Sequence, residues 1–141
     1  MFIGRYEAVV DPKGRVHLPA KIRDALDSFG GPLVLTISDS CLVAFPRGIW
    51  LERYEAAEKE PYTPEKGDLL RAITENAAEV ELKNGRILIP SWLREYAGIE
   101  KEITIVGRIK KFEIWQVERH AGFTGKYNPE TLSGLMRKLG F

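Results

Sequence analysis

The chain holds a single cysteine, Cys41, so no internal disulfide can staple it. That residue stands in the apolar string Cys41-Leu42-Val43-Ala44-Phe45, the setting of a small buried hydrophobe. Histidine is nearly as scarce: His17 and His120 lie far apart in the sequence. No zinc-ligand spacing, nucleophile motif or phosphate-cradling glycine loop is present. These gaps argue against an enzyme, and they predict no cofactor, no metal site and no small-molecule substrate. No apolar run is long enough to cross a bilayer, and the stretch from Met1 to Asp11 has no signal-peptide shape. A cytoplasmic protein without a membrane partner is the expectation. A strong excess of positive charge is missing too, since the formal net charge is only +1. The chain as a whole therefore lacks the basic footprint usual for nucleic-acid binding.

The charge that is present is unevenly placed. Lys13, Arg15, Lys21 and Arg23 fall close together with Arg5 nearby, whereas acids gather between Glu52 and Glu81. A positive field, where one exists, is local. The rest of the composition is that of a folded domain: 44% hydrophobic and 29% charged, outside the disordered range.

The strongest internal signal is a repeat. Gly14-Arg15-Val16-His17-Leu18-Pro19-Ala20-Lys21-Ile22-Arg23-Asp24 returns as Gly85-Arg86-Ile87-Leu88-Ile89-Pro90-Ser91-Trp92-Leu93-Arg94-Glu95. Glycine, both arginines and proline are identical, and Val16/Ile87, Leu18/Ile89, Ile22/Leu93 and Asp24/Glu95 are like for like. The flanks agree: Glu7-Ala8-Val9-Val10 with Glu79-Val80-Glu81-Leu82, Leu33–Ile37 with Ile103–Val106, and Leu42–Phe45 with Phe112–Trp115. Two copies are too few for a solenoid. They suit two related halves closing one core about a pseudo-two-fold axis.

Each half reads alike. A strand (Arg5 to Val10; Ala78 to Leu82) enters a glycine-bearing turn. A short strand follows with apolar residues at alternate positions, Val16 and Leu18, then Ile87 and Ile89. Pro19 and Pro90 end it and suit the first turn of a helix. Helices are predicted over Ala20 to Leu26 and Ser91 to Ala97, stopped by Gly30-Gly31 and Gly98, and two more strands complete each half. His17 alternates with Val16 and Leu18 and so faces away from the core. The boundaries are residues 1–47 for the first module, 48–76 for a helical insert, 77–117 for the second module and 118–141 for a tail. In the insert, Ile49 to Lys59 forms one helix, with Trp50, Leu51, Tyr54 and Ala57 near one face. Thr63 caps a second, with Pro64 in its first turn and a stripe of Leu69, Leu70, Ile73 and Ala77. Glu55, Glu58, Glu60 and Glu65 read as a solvated face. The tail opens with Asn128-Pro129-Glu130, and Leu132, Leu135, Met136 and Leu139 make an amphipathic stripe. It packs either on its own chain or on a neighbouring subunit.

The functional signal lies in the turns. In Asp11-Pro12-Lys13-Gly14-Arg15, the Asp11 carboxylate can accept from backbone N–H groups, Pro12 presets φ and Gly14 can take a positive φ. Lys83-Asn84-Gly85-Arg86 carries Asn-Gly, a strong hairpin signal. A rigid tip holding Lys and Arg is suited to duplex DNA: arginine can bridge O6 and N7 of guanine, while lysine and turn N–H groups hold phosphates. The candidate DNA-binding residues are Lys13, Arg15, Lys83, Asn84 and Arg86 at the tips, with Arg23 and Arg94 on the following helices. Asp11, Gly14 and Gly85 define the turns. Arg23 and Arg94 divide between DNA contact and salt bridges at a subunit boundary.

The string from Asp11 to Arg23 resembles the AbrB-type DNA-binding hairpin. Two copies split by a helical insert, closed by Gly107 and Phe112-Glu113-Ile114-Trp115, resemble the MraZ family over roughly residues 1 to 117. The resemblance implies a mainly β, α+β fold: a pseudo-two-fold swapped-hairpin β-barrel with a helical insert and a C-terminal helix. It implies a ring-forming homo-oligomer and a nucleoid-associated transcriptional regulator. Such a protein would act on short G-rich direct repeats upstream of its own operon, the division and cell-wall gene cluster. The family's Asp-to-Arg signature maps fully only onto Asp11 and Arg15. In the second copy Leu82 stands where the aspartate would be, and the turn reads one residue shorter. The competing readings are an RNA-binding protein, which would need exposed aromatics at the tips, and a purely structural oligomeric assembly protein, which would lack salt-dependent binding to DNA.

Overall fold

The computed structural model describes all residues, 1–141. Strand β1 (Arg5–Val9) enters the first turn and β2 (Arg15–His17) leaves it. Proline at position 19 then presets helix α1 (Ala20–Phe29), which ends at Gly30 with φ +69°. Strands β3 (Leu33–Ile37) and β4 (Leu42–Pro46) complete the first copy. The insert is α2 (Arg47–Glu58) and α3 (Pro64–Glu75), the latter capped by Thr63, whose Oγ accepts from the Lys66 N–H at 3.1 Å. The second copy runs β5 (Ala77–Val80), β6 (Arg86–Leu88), α4 (Ser91–Ala97), β7 (Glu102–Gly107) and β8 (Phe112–Gln116). Helices α5 (Val117–Thr124) and α6 (Pro129–Lys138) follow.

Six strands form one antiparallel sheet in the order β1-β7-β8-β4-β3-β5. The order reads the same from either end when each strand is exchanged for its copy. The first strand of each copy pairs with the other copy's sheet: β1 lies against β7, with Tyr6 opposite Ile105, and β5 against β3, with Ala78 opposite Leu35. Strands β4 and β8 meet at the centre, with Val43 opposite Glu113. A separate two-stranded ladder pairs β2 with β6 about Val16 and Ile87.

Two expectations need correction. The sheet is not a closed barrel, because β1 and β5 remain its edges. Proline ends β2 and β6 after three residues each, so these strands pair with one another instead of bridging the two edges. The fold is also mixed rather than mainly β, since six helices take up more of the chain than the eight strands. The insert and tail supply most of that helix.

The core lies between the ladder, α1, α4 and the inner face of the large sheet. Alternation along β2 and β6 sends Val16, Leu18, Ile87 and Ile89 inward, where each is at most 1% exposed. Ile22 and Leu93, from the inner faces of α1 and α4, join them. Full burial of side chains this size stabilises by about 1.5–3 kcal/mol each. Cys41 is buried as expected, and burial pushes its thiol up to about 12, far from a nucleophile's range. By contrast the stripe of the tail is uncovered and that of the insert is covered only in part, with Trp50, Tyr54, Ala57 and Leu70 half-buried. Leu69, Ile73, Leu132, Leu135, Met136 and Leu139 are all exposed. None of the helices is long and apolar enough to cross a membrane.

Candidate nucleic-acid interface

The first tip is held by one carboxylate. Asp11 Oδ1 accepts from the backbone N–H groups of Lys13 and Arg15, each at 2.9 Å, and Oδ2 accepts from Arg15 Nε at 2.8 Å. The main chain adds Gly14 N–H to Asp11 O and Asp11 N–H to Arg15 O, both 2.9 Å. Three residues thus loop between the paired ends, with Gly14 at φ +91°, the pattern of a turn followed by a glycine bulge. These bonds favour the charged carboxylate and hold Asp11 below its ordinary pKa, the backbone N–H of Arg15 contributing most. Because Nε faces Asp11, the two terminal nitrogens of Arg15 remain for a partner. Pro12 and Lys13 are fully on the surface side of the turn.

The second tip uses no side-chain clamp. Lys83 and Arg86 exchange both backbone hydrogen bonds at 2.9 Å, leaving a two-residue loop. Asn84 and Gly85 have φ +52° and +77°, as a type I′ turn demands. Arg86 has no acidic partner within the chain, while Lys83 stands 3.7 Å from Glu81 with both side chains well exposed, a contact worth little in water.

The β2–β6 ladder sets the two tips at its opposite ends, only three residue pairs apart. Its register places Arg15 opposite Leu88 and His17 opposite Arg86. With Val16 and Ile87 pointing inward, Arg15, His17 and Arg86 point out. Arg15 shares the wall of one surface depression, about 230 Å³, with Glu81, Lys83, Asn84 and Arg86, so that three cations and one acid line it. Residues far apart in sequence thus form one basic surface. Arg23 and Arg94 do not join it. They lie beneath the tips, half-buried, and neither is ion-paired within the chain. Arg94 Nε donates to the Ile89 carbonyl at 3.0 Å. Composition offered no route to this placement, because it depends on how the two copies interlock.

The remaining titratable groups sit elsewhere. His120 is buried beside Trp115 and Phe123, at ring separations of 6.0 and 6.2 Å, and burial lowers its pKa, aided by Arg5. Glu113 is buried at the sheet centre and accepts from Arg108 at 2.8 Å and Trp115 at 3.1 Å. Glu113 is a satisfied packing group, and His120 is held by its aromatic neighbours.

The architecture defines a class: a protein of two interlocked copies of a strand–turn–strand–helix unit, presenting paired cationic hairpin tips on one surface. Comparison with known proteins places it more closely. Residues 1–71 and 73–133 match the family model described as "MraZ protein, putative antitoxin-like". The chain is 43% identical over 144 aligned residues to a protein of Clostridium beijerinckii, covering 99% of each. It is 41% identical over 121 residues to one of Lachnoclostridium phytofermentans, covering 84% of each. A protein of Alcanivorax borkumensis is 34% identical over 146 aligned residues, with complete coverage of both chains. All three carry the name transcriptional regulator MraZ. The chain belongs to the MraZ family.

Proposed function

We propose that this chain is a cytoplasmic, nucleoid-associated transcriptional regulator that reads duplex DNA through its paired hairpin tips. The observation that carries the reading is the shared depression in which Arg15 of one copy meets Lys83, Asn84 and Arg86 of the other. Arg15 is steadied through its Nε by Asp11, so its terminal nitrogens are presented in a fixed plane. That suits bidentate contact with a guanine edge. Lys13 and Lys83 flank the site and suit phosphates. The names of the relatives support regulation of transcription.

On this reading residues 1–47 and 77–117 are two modules that exchange hairpins, 48–76 is the insert between them, and 118–141 is an accessory tail. One subunit offers few cationic contacts, which accords with a net charge of only +1. A homo-oligomeric ring on short direct repeats, upstream of its own operon in the division and cell-wall cluster, would supply the missing affinity through effective concentration. The exposed stripe residues on α3 and α6 support assembly of this kind. The chemistry requires neither cofactor, metal nor small-molecule substrate.

The test is a titration of the purified protein into duplex from upstream of its own gene, alongside a scrambled duplex. Binding to the first should be tighter, and log affinity should fall linearly with log salt as counterions leave the phosphates. Light scattering in the same buffer should give a closed oligomer. Absence of binding to the upstream duplex at low salt would overturn the regulatory reading, and a monomer at micromolar concentration would overturn the ring.

A further inference from the structure

The two tips are braced from below, and the braces cross between the repeats. The Ile89 N–H donates to the Gly14 carbonyl at 2.8 Å, and the Leu18 N–H donates to the Gly85 carbonyl at 2.9 Å. Each tip glycine is therefore tied to the strand end of the other copy. An arginine one helical turn further on completes each contact. A β-carbon on Gly14 would stand 2.9 Å from Arg94 Cζ, and one on Gly85 would stand 3.0 Å from Arg23 Nη1. The guanidinium of Arg94, in the second copy, thus lies under the first tip, and that of Arg23, in the first copy, lies with His17 under the second.

We propose that Arg23 and Arg94 are crossed positioning residues, each fixing the height and stiffness of the hairpin tip that belongs to the other repeat. Three observations support this role over direct contact with a ligand. Both side chains are half-buried, whereas Lys13, Arg15, Lys83 and Arg86 are exposed. Neither has a carboxylate partner in the chain, so the contacts with the opposite tip account for their placement. The Arg94 stem is anchored, through Nε to the Ile89 carbonyl at 3.0 Å, on the residue whose own N–H holds Gly14.

The braces are unequal. Arg23 Nε is buried and has no hydrogen-bond partner, where its counterpart Arg94 is satisfied. A buried donor left unpaired offsets part of what the packing contributes. The second tip, which also lacks an aspartate clamp, is therefore the more weakly held of the two. It can adjust to its ligand, while the first is fixed beforehand.

This inference rests on the DNA-reading proposal for its purpose, but not for its test. Backbone amide exchange, followed by NMR on the free protein, reads each tip separately. Arg94→Ala should speed exchange at Gly14 and Arg15 by about three- to tenfold, the range set by one net hydrogen bond, and leave Lys83 and Arg86 unchanged. Arg23→Ala should speed exchange at Lys83 and Arg86 by a smaller factor and leave Gly14 and Arg15 unchanged. Arg94→Gln keeps an N–H donor and should show the same crossed pattern at reduced size, which covers the case in which the alanine variant fails to fold. Acceleration in both tips alike, or in the arginine's own repeat, would overturn the crossed assignment. A second arm measures duplex affinity. Arg94→Ala should be non-additive with Arg15→Ala, additive with Arg86→Ala and without effect on the salt slope. A slope reduced by about one would instead make Arg94 a phosphate contact. If the parent protein binds no duplex at all, the regulatory reading fails and the exchange arm still decides this one.

Discussion

The two hairpin tips are copies of one sequence, yet they are made rigid by different means. The first has a three-residue loop and a carboxylate that accepts from two backbone N–H groups and one guanidinium. The second has a two-residue loop whose shape is dictated by Asn84 and Gly85 at positive φ. The aspartate clamp couples turn geometry to Arg15, because the same side chain holds both. The tighter turn fixes the backbone alone and leaves Arg86 without an orienting partner. The two copies share the strand register and the glycine brace and differ in how the arginine is controlled.

The largest effect that could break this comparison comes from the glycines. A methyl group on Gly14 would meet the Ile89 carbonyl oxygen at 2.9 Å, which is backbone and cannot yield. On Gly85 it would meet His17 Cε1 at 2.8 Å and Arg23 Nη1 at 3.0 Å, both at the ends of side chains that can move. Both alanines would also bear the left-handed backbone cost of roughly 1–2 kcal/mol. Gly14→Ala should therefore destabilise by about 2–4 kcal/mol in urea unfolding, through the added backbone clash. Gly85→Ala should cost only about 1–2 kcal/mol. A reversed order would mean that the second tip, not the first, is the more tightly braced.

Next come the arginines. Arg15→Ala should lower affinity for the upstream duplex by about 1–3 kcal/mol per engaged tip, as expected for a bidentate guanine contact. Arg86→Ala should do less, since Arg86 lacks the orienting carboxylate and loses more side-chain freedom on binding. Melting temperature and oligomer size must match the parent in both. Equal losses would show that Asp11 contributes nothing to readout. Unchanged affinity in Arg15→Ala would remove the tips as the reading element.

A smaller, uniform effect is expected from Lys13. It is exposed at the crest of the first loop with no partner in the chain. Lys13→Ala should weaken specific and scrambled duplexes about equally and reduce the salt slope by about 0.9 per contact. A loss confined to the specific duplex would make Lys13 a base reader.

Much of this site was legible in the sequence, and the reasons are physical. Gly14, Gly85 and Asn84 betray turns because few residues accept positive φ, and alternation about Val16 and Ile87 fixes which way Arg15 and Arg86 point. Pairing between copies is non-local and leaves no such trace. The β-barrel came only from the family resemblance, and Pro19 and Pro90 in fact stop β2 and β6 too soon to close one. The sequence also left Arg23 and Arg94 undecided, because their contacts belong to the other repeat. Helix α5 has no familiar start signal in the sequence, because its cap is Gln116, which accepts from the Arg119 N–H at 2.8 Å, rather than one of the usual short capping residues. The repeat itself held the clue, since α2 and α5 each leave the last strand of a copy without an intervening loop.

The smallest expected effect isolates the aspartate clamp. Asp11 is held below its ordinary pKa chiefly by the backbone N–H of Arg15, and further by the Arg15 side chain and the Lys13 N–H. A carboxylate NMR titration of the free protein should show its midpoint below that of an unstructured aspartate. Because the folded value is depressed, the clamp's contribution is present above the unfolded pKa and is lost as pH falls through the folded value. The first tip should therefore loosen only in acid, and amide exchange at Lys13 and Arg15 should quicken there, while Lys83 and Arg86 at the clampless second tip stay unchanged. Arg15→Ala should move the Asp11 midpoint upward only in part, because the two backbone donors remain. A full return to the unstructured value would mean that the guanidinium holds the turn. No movement at all would mean that the backbone donors alone hold the carboxylate and that Asp11 does not orient Arg15 in solution, and the two tips would then no longer differ in control of the arginine.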